Sequence, residues 1–123
     1  HSTSNPTSIA QKAAEAALGG KEDFIKELAC EFQKRREYCI MRLGAMKKIS
    51  CVVPRGAFYI FCNISKTGLD SLSLAQRLLD ETYVALIPGD GFGEPDYVRI
   101  SFATSMEQLE KGMNRLEEWL NKV

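Results

Sequence analysis

Arg99 is the residue of this chain whose setting best suits chemistry. From Tyr97 to Phe102 polar and apolar residues alternate, which predicts a strand with Val98 and Ile100 on one face and Arg99 on the other. A planar guanidinium with five donors is a natural bidentate partner for a carboxylate. The pattern alone favours a surface arginine in a weak salt bridge over a carboxylate-binding one, although it leaves both interpretations open.

Other common catalytic arrangements are not favoured. The only histidine, His1, is the first residue of the chain, where termini fray, so no histidine-based nucleophile–base pair can be built. Acidic pairs such as Glu117-Glu118 fall on predicted helix faces, where solvated charge explains them. The cysteines lack Cys-x-x-Cys spacing, which disfavours zinc. Buried free thiols, and with them a reducing, cytoplasmic compartment, are favoured over two disulfides. The cysteines are Cys30, Cys39, Cys51 and Cys62.

A glycine-rich segment precedes the Arg99 strand. Gly89-Asp90-Gly91-Phe92-Gly93 lacks the Gly-x-x-x-x-Gly-Lys-Ser/Thr pattern of a phosphate-binding loop, and it runs into a strand instead of a helix. Its glycines permit positive φ values. The segment alone therefore predicts a flexible loop.

Length and charge restrict the possible partners. A chain of 123 residues suits a single core, and 45% hydrophobic residues favour a globular fold. Sixteen basic and sixteen acidic residues leave no net charge, so neither nucleic acid nor a membrane surface is an expected partner. Because the chain begins with His1 and has no initiator methionine, we expect it to be an excerpt of a longer protein.

Helical periodicity predicts four helices. The first should follow Asn5-Pro6, as cap and first residue, and end before Gly19-Gly20. The second should span Glu22 to Leu43, with Gly44 as its stop, and carry an apolar stripe. The third should begin at Ser71 or Ser73, since Ser73 and Gln76 have capping-box spacing, and the fourth at Thr104 or Ser105, since Ser105 and Gln108 have the same spacing. The expected inward residues are Phe24, Leu28, Phe32, Cys39 and Leu43 in the second helix, Leu72, Ala75, Leu78 and Leu79 in the third, and Met106, Leu109, Met113, Leu116 and Leu120 in the fourth.

Three or four strands complete the expected fold. The segment from Ala57 to Ile64 is apolar on both faces and favours a central strand, and Ser50 to Val53 favours an edge strand. A short buried strand is expected from Val84 to Ile87 before the strand of Arg99. The predicted order is α-α-(β)-β-α-β-β-α, an α+β fold in which helices cover a small sheet.

Two motifs and their spacing identify a resemblance. Pro54-Arg55-Gly56-Ala57-Phe58-Tyr59-Ile60-Phe61 is followed by the Pro88–Gly93 segment and then by Val98-Arg99-Ile100-Ser101-Phe102-Ala103-Thr104. This series resembles the carboxy-terminal small domain of class I/II aminotransferases, pyridoxal-phosphate enzymes of fold type I, near the aspartate and aromatic branch. The resemblance extends to Ser2–Gln11, which looks like the leader into the interdomain helix.

The resemblance implies roles for individual residues. Arg99 would bind the substrate α-carboxylate, while Gly56 and Phe92 would support the substrate entrance. Residues 1–20 would form the interdomain leader and first helix, and residues 21–123 the small domain. The cofactor lysine, the partner of the pyridinium nitrogen and the phosphate cup would precede this chain, so it should neither bind pyridoxal phosphate nor catalyse alone. A cofactor domain and a second subunit of a dimer would complete the enzyme.

Two other readings stay open at this point. The chain could be a free-standing α+β ligand-binding or interaction module without catalysis. It could also belong to a parent of the same fold that performs another reaction at the α-carbon, because fold does not fix chemistry. The sequence does not name the amino-acid substrate.

Overall fold

The computed structural model describes residues 4–123, which form two compact units. The first unit ends at Cys30 and the second comprises Glu31–Val123. The helices are α1 (Ser8–Leu18), α2 (Asp23–Ala45), α3 (Ser71–Thr82) and α4 (Met106–Leu120), and the strands are β1 (Ser50–Cys51), β2 (Tyr59–Asn63), β3 (Ile87–Pro88) and β4 (Tyr97–Ser101). The element order matches the predicted α+β arrangement. The division proposed between residues 20 and 21 stays a prediction.

The four strands form one antiparallel sheet in the order β1-β2-β4-β3. The central position predicted for the segment containing β2 is confirmed, since this strand pairs with β1 on one side and β4 on the other. Ile60 lies opposite Ile100, and Cys62 lies opposite Val98. All four side chains are buried, which places the core on this face of the sheet.

The core is completed by amphipathic helices. In α4 the residues predicted to face inward are buried, except that Met106 is half-buried, and Trp119 joins them. Ser105 caps α4 as predicted, and its hydroxyl oxygen accepts a hydrogen bond from the backbone N–H of Gln108 at 3.3 Å. Helix α2 contributes Cys39 and Leu43 to the core. Burial raises the pKa of the Cys39 thiol to about 11, as expected for a thiolate deprived of water.

The start of one helix and the cap of another differ from the sequence expectation. Helix α1 begins at Ser8 with Thr7 at its cap, instead of at Asn5-Pro6. Helix α3 is capped by Asp70, whose carboxylate accepts a hydrogen bond from the backbone N–H of Ser73 at 2.9 Å. Ser73 is therefore a donor to the cap and not the cap itself. The start at Ser71 is one of the two predicted, but the capping side chain is that of the preceding residue, an Asp that favours this position as strongly as Ser does.

Several apolar residues predicted to be buried are exposed. The exposed side chains are Phe24 and Leu28 of α2 and Leu72 and Leu79 of α3. In α3 the leucines that are buried in the core are instead Leu74 and Leu78. The buried strand predicted from Val84 to Ile87 is also wrong. The strand found here is β3, which begins only at Ile87, lies at the edge of the sheet and leaves Ile87 exposed. Gly44 lies within α2 and does not stop it.

No helix within residues 4–123 is long and apolar enough to span a membrane. In the same part of the chain, no group of three His, Cys, Asp or Glu side chains is arranged to hold a metal ion. All four cysteines are free thiols, of which Cys39 and Cys62 are buried.

Candidate functional site

Arg99 occupies the centre of β4, where both neighbouring strands hold its backbone. Phe61 of β2 lies opposite it on one side, and Ile87 of β3 on the other. Because successive strand residues point to opposite faces, the burial of Val98 and Ile100 directs Arg99 to the other face of the sheet, where it is half-buried. Alternation in the sequence therefore predicted its orientation correctly.

Two aromatic rings hold the Arg99 guanidinium. Its Cζ lies 5.1 Å from the ring centroid of Tyr59 and 5.1 Å from that of Phe92. Both distances are within the range of cation–π attraction. The structure thus brings together Arg99 and Phe92, two of the three site residues named from the sequence, and adds Tyr59.

The guanidinium has no acidic partner among the described residues. Within residues 4–123, Arg99 makes no salt bridge and donates no hydrogen bond, whereas Arg42 donates to Tyr38 and pairs with Glu117 at 2.8 Å. The interpretation of Arg99 as one half of a surface ion pair therefore has no support in this part of the chain. Its five donors are available to an external acceptor.

Phe61 extends the aromatic contact around Arg99. Its ring stacks on Tyr97, with centroids 4.9 Å apart and planes inclined by 16°, and meets the Phe92 ring edge-on at 6.1 Å. Strand alternation explains why these rings share a face with Arg99. Phe61 lies opposite Arg99, Tyr59 is two residues from Phe61 on β2, and Tyr97 is two residues from Arg99 on β4. Alternation was predicted only for β4, whereas the β2 segment was expected to be apolar on both faces, so Tyr59 and Phe61 had no predicted role.

The loop that carries Phe92 is anchored to α3 by one hydrogen bond and closed by another of its own. The backbone N–H of Asp90 donates to the hydroxyl of Ser71 at 3.1 Å, and the Ser71 side chain is fully buried. Gly93 adopts a left-handed φ of 79°, and its N–H donates to the Asp90 carbonyl at 2.9 Å. The segment expected to be a flexible loop is therefore a short 3-10 turn, Gly89–Phe92, held by hydrogen bonds.

Gly56 lies on the exposed loop that precedes β2. A β-carbon built on it would meet no atom within 4 Å, and the residue with a left-handed backbone here is Ala57, at φ 60°. The loop is held by Arg36, whose Nη1 donates to the Pro54 carbonyl at 3.3 Å, and the Phe58 carbonyl accepts from the Phe102 N–H at 2.8 Å. The supporting role expected of Gly56 stays a prediction.

A sequence model of the family described as aminotransferase class I and II matches residues 1–116. The chain belongs to this family. This aminotransferase chain is 42% identical to a probable aspartate/prephenate aminotransferase of Rickettsia conorii, over 99% of its own length and 33% of the relative. It is 40% identical to an aspartate aminotransferase of Bacillus subtilis, over 99% of the chain and 32% of that protein.

Solved structures of aminotransferases share the fold. The aspartate aminotransferase of Rhizobium meliloti superposes with a TM-score of 0.89 at 34% identity, over 98% of this chain and 32% of that one. The alanine aminotransferase of Pyrococcus furiosus gives 0.90 at 34% identity, over 96% and 31%. The chain thus spans about a third of the length of the aminotransferases that it matches.

Proposed function

We propose that this chain is the carboxy-terminal small domain of a pyridoxal-phosphate-dependent aminotransferase, in which Arg99 binds the α-carboxylate of the amino-acid or 2-oxo-acid substrate. Transamination of an aspartate-type substrate is the reaction that the relatives' names favour. A cofactor domain and a second subunit would complete the enzyme, and the four free thiols favour the cytoplasm as its location.

The observation that supports the proposal is which groups surround the Arg99 guanidinium. It is held against the rings of Tyr59 and Phe92, yet it has no acidic partner within residues 4–123. A structural arginine is normally satisfied by a carboxylate or by carbonyl groups, as Arg42 is here. Arg99 is therefore positioned without being neutralised, which suits a residue that must accept an anionic ligand.

A carboxylate is the ligand that suits this geometry. The guanidinium presents parallel N–H donors that match the two oxygens of a carboxylate, and this bidentate pair fixes both position and orientation. In the enzyme such a contact would align the α-carbon for reaction and help draw the small domain over the substrate. Gly56 and Phe92 would support this substrate entrance, Phe92 through its contact with Arg99.

The residues of this chain do not fit the cofactor. A Schiff-base lysine must lie in a shielded site beside the ring of the cofactor. Every lysine of this chain is exposed except Lys48, which is half-buried and lies two residues before β1. Pyridoxal phosphate carries the amino group in the reactions of this family, and we propose that the residues that bind it lie outside this chain. Incubation of the chain with cofactor and borohydride should then leave no lysine labelled at full occupancy in a mass spectrum.

The decisive experiment is substitution of Arg99 in the full-length enzyme. We expect Arg99→Ala to lose about 3–5 kcal/mol of transition-state binding, the scale of removing one partner of a desolvated charge pair. Arg99→Lys should also fail, because an ammonium cannot reproduce the two parallel donors. The matched control is Arg115→Ala, an exposed arginine on α4. Transamination by Arg99→Ala within threefold of normal would contradict the proposal.

A further inference from the structure

Tyr59 and Phe92 contact Arg99 from different parts of the chain. Tyr59 is the first residue of β2 and lies opposite Ser101, two residues along β4 from Arg99. Phe92 ends the 3-10 turn after β3. Both rings are at 5.1 Å from the guanidinium carbon, so they hold a side chain that would otherwise rotate about four bonds.

We propose that Tyr59 and Phe92 are positioning residues that fix the Arg99 guanidinium before a carboxylate binds, an inference that rests on the proposed function of Arg99. An arginine side chain without hydrogen bonds loses considerable rotamer entropy when it engages a ligand. Contact with two rings removes part of that loss in advance and leaves the N–H donors free.

Both rings are themselves supported. Phe92 packs edge-on against Phe61, which stacks on Tyr97, and the turn carrying Phe92 is anchored to the buried hydroxyl of Ser71. Tyr59 meets Phe58 edge-on, with centroids 5.9 Å apart. The Tyr59 hydroxyl makes no hydrogen bond within residues 4–123, so its ring, rather than its hydroxyl, is the part that acts on Arg99.

Ring removal separates this role from a structural one. In the full-length enzyme we expect Tyr59→Leu and Phe92→Leu each to raise KM for the 2-oxo acid about tenfold, because a mobile guanidinium binds the carboxylate less well, with kcat changed less than threefold. Tyr59→Phe and Phe92→Tyr keep the rings and should retain most of the affinity. Tyr83→Leu, an exposed ring on the loop after α3, is the control. A loss confined to kcat or to thermal stability would overturn the proposal.

A double substitution tests whether the rings act through Arg99. Arg99→Ala combined with Phe92→Leu should be no worse than Arg99→Ala alone, since a positioning residue has nothing left to position. Additive losses would mean that Phe92 contacts the substrate independently and would overturn the inference. Equal losses for Tyr59→Phe and Tyr59→Leu would assign the effect to the hydroxyl and overturn it for that residue.

A measurement on this chain distinguishes failure of the inference from failure of the proposed function. Proton–nitrogen NMR of the Arg99 Nε–H should show an upfield ring-current shift relative to Arg115, whose guanidinium has no cation–π contact within residues 4–123, and Tyr59→Leu and Phe92→Leu should each reduce that shift. Normal transamination by Arg99→Ala would reject the proposed function whatever this spectrum shows. An Arg99 signal that matches Arg115 and is unchanged in both leucine variants would instead reject the positioning role, even if Arg99→Ala is inactive.

Discussion

The backbone of Gly89 lies against the backbone of Tyr97 so closely that no side chain fits between them. A β-carbon built on Gly89 would be 2.5 Å from the carbonyl oxygen of Tyr97, and it would be closer still to that of Glu94. The Glu94 carbonyl is held because its oxygen accepts from the Tyr97 N–H at 3.1 Å. The Tyr97 carbonyl is held because Tyr97 is the first residue of β4 and pairs with Asn63 of β2. This contact sets where the turn carrying Phe92 meets the strand carrying Arg99.

Gly89→Ala should therefore destabilise the chain. Inserting a methyl group against two fixed backbone oxygens forces the loop to shift, which costs about 1–3 kcal/mol or more in the free energy of unfolding. Gly91→Ala is the matched control, because its β-carbon would meet no atom within 4 Å, and it should change stability by less than about 0.5 kcal/mol. Urea unfolding of both variants measures the difference. Equal stabilities would show that the close approach is not maintained in solution.

Arg99→Ala should hardly affect folding. The residue lies on the partly exposed face of β4 and has no ion pair in the described part of the chain, so we expect a loss of no more than about 1 kcal/mol, mainly from its ring contacts. Arg42→Ala should cost more, since it breaks a pair with Glu117 and a bond to Tyr38. Thermal unfolding would give the order. If Arg99→Ala alone unfolded the chain, Arg99 would be a structural residue.

The cap of α3 should make stability depend on acid pH. Hydrogen bonds from the Ser73 N–H and then the Ser73 hydroxyl lower the pKa of Asp70 below its ordinary value. The folded state therefore binds this proton less readily than the unfolded state, so the stabilisation is present above the ordinary carboxyl pKa and is lost as pH falls through the lowered one.

Asp70→Asn is the variant that isolates this effect. Asparagine also caps helices but does not titrate in this range, so the variant should lose less stability than the parent chain between pH 7 and about pH 3. Urea midpoints measured across that interval compare the two slopes. Parallel curves would mean that the cap does not contribute to acid sensitivity.

Helix α1 should exchange its amide hydrogens faster than β4. None of its residues is buried, and Ile9 and Leu18 are 81% and 89% exposed, so only local helical hydrogen bonds protect it. Strand β4 pairs on both sides, and its Val98 and Ile100 lie in the core. Hydrogen exchange followed by mass spectrometry compares the two segments. Equal protection would indicate that α1 is as stable as the sheet and would favour a complete, free-standing module.

The sequence was sufficient where a pattern is local. Alternation along 97–102 predicted which side chains of β4 are buried, because a strand's period of two leaves only one face for the core. The spacing of Leu109, Met113 and Leu116, with Ser105 as cap, predicted α4 for the same reason at helical period. Local pattern was insufficient where neighbours compete, as when Asp70 and not Ser73 capped α3.

By itself the sequence determined the α+β class, the orientation of Arg99 and, through the order and spacing of its motifs, the aminotransferase family. Only the tertiary structure decided that Tyr59 and Phe92 lie against Arg99, because they come from segments about 40 and 7 residues away that strand pairing and the Gly89 turn bring together. It also decided that Arg99 has no acidic neighbour in the described chain. Contacts between separate segments depend on how strands pair and on how closely backbones approach. The periodicity of a single segment carries no information about either.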